Sequence, residues 1–162
     1  LILFGFIGFY DDYQKVKNRD VTKLEFVLYC NPPKTTKQAS LRFAKGRCYH
    51  VKTANQNYKQ LHDLVYPFRP LRPFDEPITL KVKWVYPWRK SQSKKSRLEG
   101  MIPCDTRPDC DNILKGFCDI LQEAKYFKDD SQICSIAFEK WWGEIPRIEV
   151  CLRPFLDFEQ AE

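Results

Sequence analysis

The stretch RPDCDNILK, residues 107–115, places two carboxylates, an amide and a lysine within a short length of chain. Proline presets the backbone angle of a first helical turn, and acidic side chains favour the positive end of the helix dipole. The stretch therefore predicts a helix that begins at its acidic pair and continues to about residue 125.

Beyond this start, apolar and polar residues separate onto two faces of the predicted helix. The apolar face consists of Ile113, Leu114, Phe117, Ile120, Leu121 and Ala124. The opposite face carries Asp111, Lys115, Cys118 and Gln122. One face is expected to pack against the protein, while the other presents charge.

The composition predicts one folded α/β domain. The chain has 162 residues, of which 43% are hydrophobic and 15% aromatic, enough for a real core and unlike a disordered chain. We expect an N-terminal extension of unknown role at residues 1–20, the folded domain at 21–155 and a loose tail at 156–162.

Positive charge is concentrated in two segments, residues 34–59 and 89–97. Together they hold twelve of the 27 Lys and Arg residues and no Asp or Glu, so the rest of the chain has 15 basic against 21 acidic residues. Clustered cations beside an acidic centre suit a polyanion held against a metal site, and nucleic acid is the predicted partner. The alternative is a pair of solvated basic loops.

The seven cysteines contain no Cys-x-x-Cys pair, which argues against a zinc ribbon or a disulfide framework. Reduced thiols in a cytoplasmic compartment are expected. The opening LILFGFIGFY is too short to span a bilayer and lacks a basic leader, so neither an export signal nor a membrane partner is predicted.

Hydrophobic patterning predicts a small mixed sheet with two main helices. The second helix is expected at residues 53–66, and a mobile cationic loop at 89–97. The proline-rich residues 67–77 form a rigid connector. Strands are predicted at 25–30 and 78–86, in a small hairpin at 40–44 and 47–51, and in a closing antiparallel hairpin at 132–141 and 147–153.

The acidic residues suggest a magnesium site. Mg²⁺ prefers carboxylate oxygens and keeps several waters, so Asp109, Asp111 and one of Asp129 or Asp130 are candidate ligands. Such an ion stabilises the charge on a phosphodiester as it is displaced. Lys115, one helical turn after Asp111, can reach the same phosphate. The alternative is that the two helix-start aspartates only cap the helix, with Lys115 paired to Asp111 or Asp119.

The order and spacing of these residues resemble the pattern of the RusA-type Holliday junction resolvases. The resemblance runs over residues 25–153 and is carried by Asp-x-Asp-Asn-x-x-Lys at 109–115, followed by Asp-Asp-x-Gln at 129–132. It implies Mg²⁺-dependent cutting of four-way DNA junctions by a homodimer, with Mn²⁺ as a possible substitute metal, in a family common in bacteriophages and prophages.

Matched residue by residue, the resemblance makes Asp109, Asp111 and Asp130 the metal-binding aspartates and Lys115 the essential lysine. Asp129 is an acidic neighbour, and Asn112 is an accessory residue. This chain departs from the family pattern in residues 1–20 and in a longer connector at 67–77. Candidate DNA contacts are Lys34, Lys37, Arg42, Lys45, Arg47, Lys52, Arg89, Lys90, Lys94, Lys95, Arg97 and Arg107.

One geometric problem follows from the length of the predicted helix. At about 1.5 Å per residue it is roughly 22 Å long, so Asp111 and Asp130 begin at opposite ends. Either the chain doubles back along the helix, or a two-fold partner brings its own Asp130 to the Asp111 end. Whether each metal site is composite stays open on the sequence.

The predicted function is a Mg²⁺-dependent, structure-selective endonuclease that resolves four-way junctions by paired phosphodiester cuts in recombination and repair. Two alternatives remain. One is a DNA-binding protein on the same fold that does not cleave. The other is a Mg²⁺ nuclease of other branched DNA, which would use the same residues.

Overall fold

Strand β4 (Ile78–Pro87) lies at the centre of a five-stranded sheet. The computed structural model describes residues 23–34, 41–44, 46–50, 52–98 and 100–155. On one side of β4, the alternate residues Leu80, Val82 and Trp84 are buried. Thr79 and Val85 are buried on the other side, so this strand is covered on both faces near its ends.

The sheet has the strand order β1-β7-β4-β6-β5, and β4 pairs with β6 in parallel while the other pairs are antiparallel. The predicted small mixed sheet is confirmed. A separate hairpin of β2 and β3 turns at Gly46, whose φ is 72°. The remaining strands are β1 (Leu24–Leu28), β2 (Leu41–Ala44), β3 (Arg47–His50), β5 (Ile102–Pro103), β6 (Ile133–Gly143) and β7 (Arg147–Pro154).

The two predicted main helices are present as α1 (Lys52–Val65) and α3 (Cys110–Glu123), and they pack against each other. The ring of Phe117 in α3 meets Trp84 edge-on at 5.9 Å, which places α3 on the side of Leu80 and Val82. A short helix α2 (Lys94–Leu98) precedes β5. Two 3-10 turns lie at Tyr66–Phe68 and Asp130–Gln132.

The predicted closing hairpin is wrong. β6 and β7 are both present, but β4 lies between them and pairs with each. Residues 143 to 147 are four Cα steps apart and can span about 13 Å, which exceeds two strand spacings of about 4.8 Å each. The connection can therefore cross over β4, and the strand with both faces covered takes the central position.

The predicted mobile loop at residues 89–97 is partly helical. Ser93 Oγ accepts the backbone N–H of Ser96 at 3.1 Å, and Arg97 N donates to Ser93 O at 3.2 Å. A serine at this position caps a helix start, and the residues that follow have good helix propensity. The two-residue strand β5 was not predicted from the sequence.

Residues 1–22 and 156–162 lie outside the described residues, as do Lys37 and Lys45, so the interpretations placed on them stay predictions. Within the described part of the chain, no helix is both long and apolar enough to cross a bilayer.

Candidate functional site

Asp109 is the N-cap residue of α3, with an extended backbone at φ −72° and ψ 145°. The first helical bond runs from Ile113 N to Asp109 O at 3.2 Å. The side chain of Asp109 makes no capping hydrogen bond, and the residue is exposed. Capping therefore does not occupy this carboxylate.

Asp111 and Lys115 are exposed and lie one turn apart on the same flank of α3. Among the described residues, no ion pair joins Lys115 to Asp111 or Asp119. The structure therefore lacks the ion pairs of the alternative interpretation, in which Lys115 pairs with Asp111 or Asp119. Asn112, between them in sequence, is half-buried.

The loop that leads into α3 is held by two cations. Lys140 Nζ donates to Thr106 O at 2.8 Å and to Pro108 O at 2.6 Å. Arg89 contacts the Asp105 carboxylate at 3.4 Å, and its guanidinium lies 5.0 Å from the centre of the Trp142 ring. These contacts fix the backbone immediately before Asp109.

The chain reverses direction directly after α3. Lys125 has a φ of 66°, Lys125 N donates to Gln122 O at 3.0 Å, and Tyr126 N donates to Leu121 O at 3.0 Å. This is the Schellman pattern of a helix end. Tyr126 and Phe127 are then fully buried, and Phe127 bridges to Phe74 of the connector. Burial of the two aromatic rings holds the chain against the protein directly after the helix.

Gln132 fixes the turn that follows. Its Oε1 accepts the backbone N–H groups of Lys128 and Asp129 at 2.8 and 3.0 Å. Its Nε2 donates to Phe74 O at 3.0 Å and to Glu76 O at 3.2 Å. One amide side chain therefore joins the acidic turn to the connector.

The two adjacent aspartates have different surroundings. Asp129 Oδ1 accepts the backbone N–H of Ser131 at 2.9 Å. Hydrogen bonds from the Ser131 side chain and from its backbone hold the pKa of the Asp129 carboxyl below its usual range. Asp129 thereby caps the 3-10 turn together with Gln132. Asp130 is the first residue of that turn and is exposed. Its carboxylate is not part of the cap.

The turn that begins at Asp130 contacts α3. The pKa of the Cys118 thiol in α3 is raised to about 11, mainly by burial, with the negative charges of Asp130 and Asp119 as smaller causes. Cys118 follows Asp111 by seven residues, about 10 Å along the helix. The turn after α3 therefore lies against the helix within one subunit, and a metal site shared by Asp111 and Asp130 stays a prediction.

The carboxylates do not form a closed metal cage. In the described part of the chain, no three His, Cys, Asp or Glu side chains are arranged to hold a metal ion. Asp109 and Asp111 begin the helix, and Asp130 stands farther along it. Mg²⁺ commonly takes only one or two carboxylates and fills its octahedron with waters and substrate phosphates, so an open acidic flank suits this ion.

The start of the first basic segment contacts the central strand β4. Tyr86 Oη donates to Pro33 O at 3.3 Å. Burial is the main cause of the raised pKa of Tyr86, and the Cys104 and Cys110 thiols add to it. Lys34, which is exposed, follows Pro33 directly.

The other candidate DNA contacts are spread along the described chain. Arg89 is half-buried and engaged with Asp105 and Trp142, so it differs from the exposed cations. Arg42 lies in β2 and Lys52 begins α1, and only their backbone is described. The exposed cations are Arg47, Lys90, Lys94, Lys95, Arg97 and Arg107.

At this site, Lys140 was not singled out from the sequence, and Gln132 was named only as part of the motif at 129–132. Lys140 shares the alternation of Phe138 and Trp142 in β6, and a lysine on the packed side of a strand is a signal of bound polar groups. Gln132 follows Asp129 by three residues, the spacing of a capping box. Either signal would have identified the residue.

Residues 31–153 match the family described as Endodeoxyribonuclease RusA. Over 90 residues, 52% of this chain, the sequence is 39% identical to a Bacillus subtilis (strain 168) protein named "Uncharacterized protein YqaN", of which the match covers 63%. Over 118 residues, 73% of this chain, it is 26% identical to the crossover junction endodeoxyribonuclease rusA of Lactococcus phage r1t, of which the match covers 87%.

Proposed function

The chain belongs to the RusA endodeoxyribonuclease family, and on that premise we propose that it is a Mg²⁺-dependent endonuclease that resolves four-way DNA junctions by paired phosphodiester cuts. The acidic start of α3 carries the proposal. The carboxylates of Asp109 and Asp111 take no part in capping or helix ion pairs among the described residues, and the turn that begins at Asp130 contacts the same helix.

The donor set suits a hard divalent ion. Asp109, Asp111 and Asp130 offer carboxylate oxygens, which Mg²⁺ prefers over thiol or imidazole ligands. Asp129 is proposed as a structural neighbour because its carboxylate already accepts the Ser131 amide. When bound, Mg²⁺ offsets the negative charge that develops on a phosphodiester during displacement.

The chain's own groups have distinct roles in this reaction. Water is the nucleophile, and its oxygen bonds to phosphorus as one P–O bond of the DNA backbone breaks. Lys115 holds the scissile phosphate with its ammonium, one turn after Asp111. Preorganised charge of this kind stabilises the transition state because no reorganisation is needed at the moment of reaction.

The basic segments bind the arms of the branched DNA. Lys94, Lys95 and Arg97 are exposed on or near α2, and Arg107 is exposed next to the acidic helix. Cations that neutralise phosphates release counterions, which gives sequence-independent affinity. Selectivity for branched DNA over plain duplex then comes from the spacing of the two basic segments.

A homodimer is part of the proposal. Paired cuts on opposite strands of a two-fold junction need two equivalent sites, and a two-fold symmetric dimer supplies them. Because the turn at Asp130 contacts α3 of its own subunit, each subunit is proposed to hold one complete site.

The deciding experiment compares cleavage of a synthetic four-way junction with cleavage of plain duplex, in Mg²⁺ and in EDTA. Asp111→Asn keeps the size of the side chain and removes its charge. Asp63→Asn, an exposed carboxylate on α1, is the matched control. We expect the wild type and the control to cut the junction only with Mg²⁺, and Asp111→Asn to bind the junction but cut it at least 100-fold more slowly.

Three results would contradict the proposal in different ways. Equal cutting of duplex and junction would indicate a general nuclease. Binding without cutting by the wild type would indicate a DNA-binding protein that has lost catalysis. Undiminished cutting by Asp111→Asn would remove this residue from the site.

A further inference from the structure

Lys140 lies on the helix-facing side of β6, at the end of the strand next to the start of α3. It stands opposite Trp84 in the parallel register of β4 and β6, and the ring of Trp84 packs against Phe117 of α3. Lys140 is half-buried on this packed side. An ammonium in such a position is destabilising unless polar partners surround it.

The partners of Lys140 all belong to the loop that leads into Asp109. Its Nζ donates to Thr106 O at 2.8 Å and to Pro108 O at 2.6 Å. Its own backbone carbonyl accepts the N–H of Cys104 at 2.9 Å. One residue thus holds the loop through both its side chain and its backbone.

The bond to Pro108 controls the residue that follows it. Proline has no N–H, so its carbonyl is the only backbone group through which hydrogen bonding can hold it. Asp109 comes next, and its side chain makes no capping bond that would orient it. Hydrogen bonds from a charged donor are about twice as strong as neutral ones.

We infer that Lys140 is a positioning residue for the acidic helix start. Its ammonium fixes the backbone of residues 106–108, so that the side chains of Asp109 and Asp111 keep a constant position relative to each other. The inference rests on the proposed nuclease function for its activity readout. It does not require Lys140 to contact DNA or metal.

The principal test is Lys140→Met, with Lys83→Met as the matched control. Lys83 is a half-buried lysine on the opposite face of the same sheet, near Glu139 and Glu149 at 3.6 and 3.9 Å. Loss of groups that orient metal ligands typically lowers metal affinity or activity 10- to 100-fold. For Lys140→Met we expect kcat at saturating junction to fall by about that factor and the Mg²⁺ midpoint to rise, with junction affinity in EDTA unchanged.

A readout without metal or DNA separates this inference from the proposed function. Hydrogen exchange at the amides of residues 109–111 should be faster in Lys140→Met than in wild type or Lys83→Met. Lys140→Arg keeps charged donors and should restore slow exchange and most of the activity. If the wild type did not cut junctions, the proposed function would fail while the exchange rates still decided the role of Lys140.

Two outcomes would overturn the inference. Weaker junction binding with unchanged kcat would make Lys140 a phosphate contact. Unchanged exchange, kcat and Mg²⁺ midpoint would leave it without a positioning role. If Lys140→Met does not fold, the comparison of Lys140→Gln with Lys140→Arg decides, because glutamine offers an uncharged donor. Equal kcat in those two variants would contradict the inference.

Discussion

The phenol hydroxyl of Tyr126 donates a 2.6 Å hydrogen bond to the backbone carbonyl of Val65, joining the turn after α3 to the last residue of α1. Both residues are fully buried. This buried bond holds the point at which the chain reverses, and the acidic turn at residues 129–132 begins three residues later. The position of Asp130 therefore depends on a contact between the turn after α3 and the end of α1.

Tyr126→Phe should destabilise the protein by about 1–3 kcal/mol, because it leaves a buried carbonyl without its donor. The free energy of unfolding in urea measures the effect. Tyr29→Phe is the matched control, since Tyr29 is 73% exposed. Equal stability of the two variants would show that the hydroxyl bond does not hold the turn.

Asp129 and Asp130 should respond differently to the same substitution. Asp130→Asn should reduce junction cleavage at least 100-fold with little change in unfolding, because it removes a proposed metal ligand. Asp129→Asn should retain most of the activity, because asparagine also accepts the Ser131 amide as a cap. Initial cleavage rates in Mg²⁺ decide between them, and the reverse order would exchange the two roles.

The pKa of Cys118 tests whether Asp130 lies beside α3. Alkylation of Cys118, followed by mass spectrometry across pH, should have its midpoint at about 11. Asp130→Asn should lower this midpoint, because a neighbouring negative charge disfavours the thiolate. An unchanged midpoint would place Asp130 away from the helix. The exposed Cys110 and Cys134 provide internal references for alkylation.

Because of the Cys118 thiol, the free energy of unfolding should fall as the pH rises into the alkaline range. A free thiol ionises near pH 8.5, below the folded value of about 11. The contribution of neutral Cys118 to stability is thus fully present below about pH 8.5 and is lost as the pH rises toward the folded pKa. Cys118→Ala should show a weaker loss of stability over that alkaline range.

The exposed lysines of α2 should contribute to DNA binding through charge alone. Replacing Lys94 and Lys95 by Gln should weaken binding to junction and duplex alike and reduce the slope of log K against log salt by about 1–2. Lys128→Gln is the control, because Lys128 forms an ion pair with Asp75. A double variant with an unchanged salt slope would exclude α2 from the DNA surface.

Local signals predicted much of the fold. Periodicity located α1, α3 and β4 because each has one apolar face, and β6 and β7 were found for the same reason. Their pairing was not predictable, because alternation shows which side of a strand is buried but not which strand is its neighbour. The burial of Thr79 and Val85 on the second face of β4, which is typical of a central strand, is seen only in the structure.

The candidate site residues came from the sequence, and their assignment stays a prediction. Helix-start chemistry singled out Asp109, Asp111 and Lys115, whereas the residue pattern left either Asp129 or Asp130 as a ligand and only the resemblance favoured Asp130. The structure adds that Asp129 accepts the Ser131 amide as a cap, a contact in which Asp130 takes no part. The role of Lys140 depends on a contact across 32 residues to Pro108, beyond the reach of local pattern.

The position of β7 between β1 and β4 has a consequence for how the protein is made. β7 is the last strand of the described chain, yet it pairs with both β1 and β4 and is the neighbour that links them in the sheet. During synthesis on a ribosome, β1 emerges long before this partner exists. The sheet is therefore completed late, after the acidic helix has already emerged. A product that stops before residue 147 lacks the strand that joins β1 to the rest of the sheet.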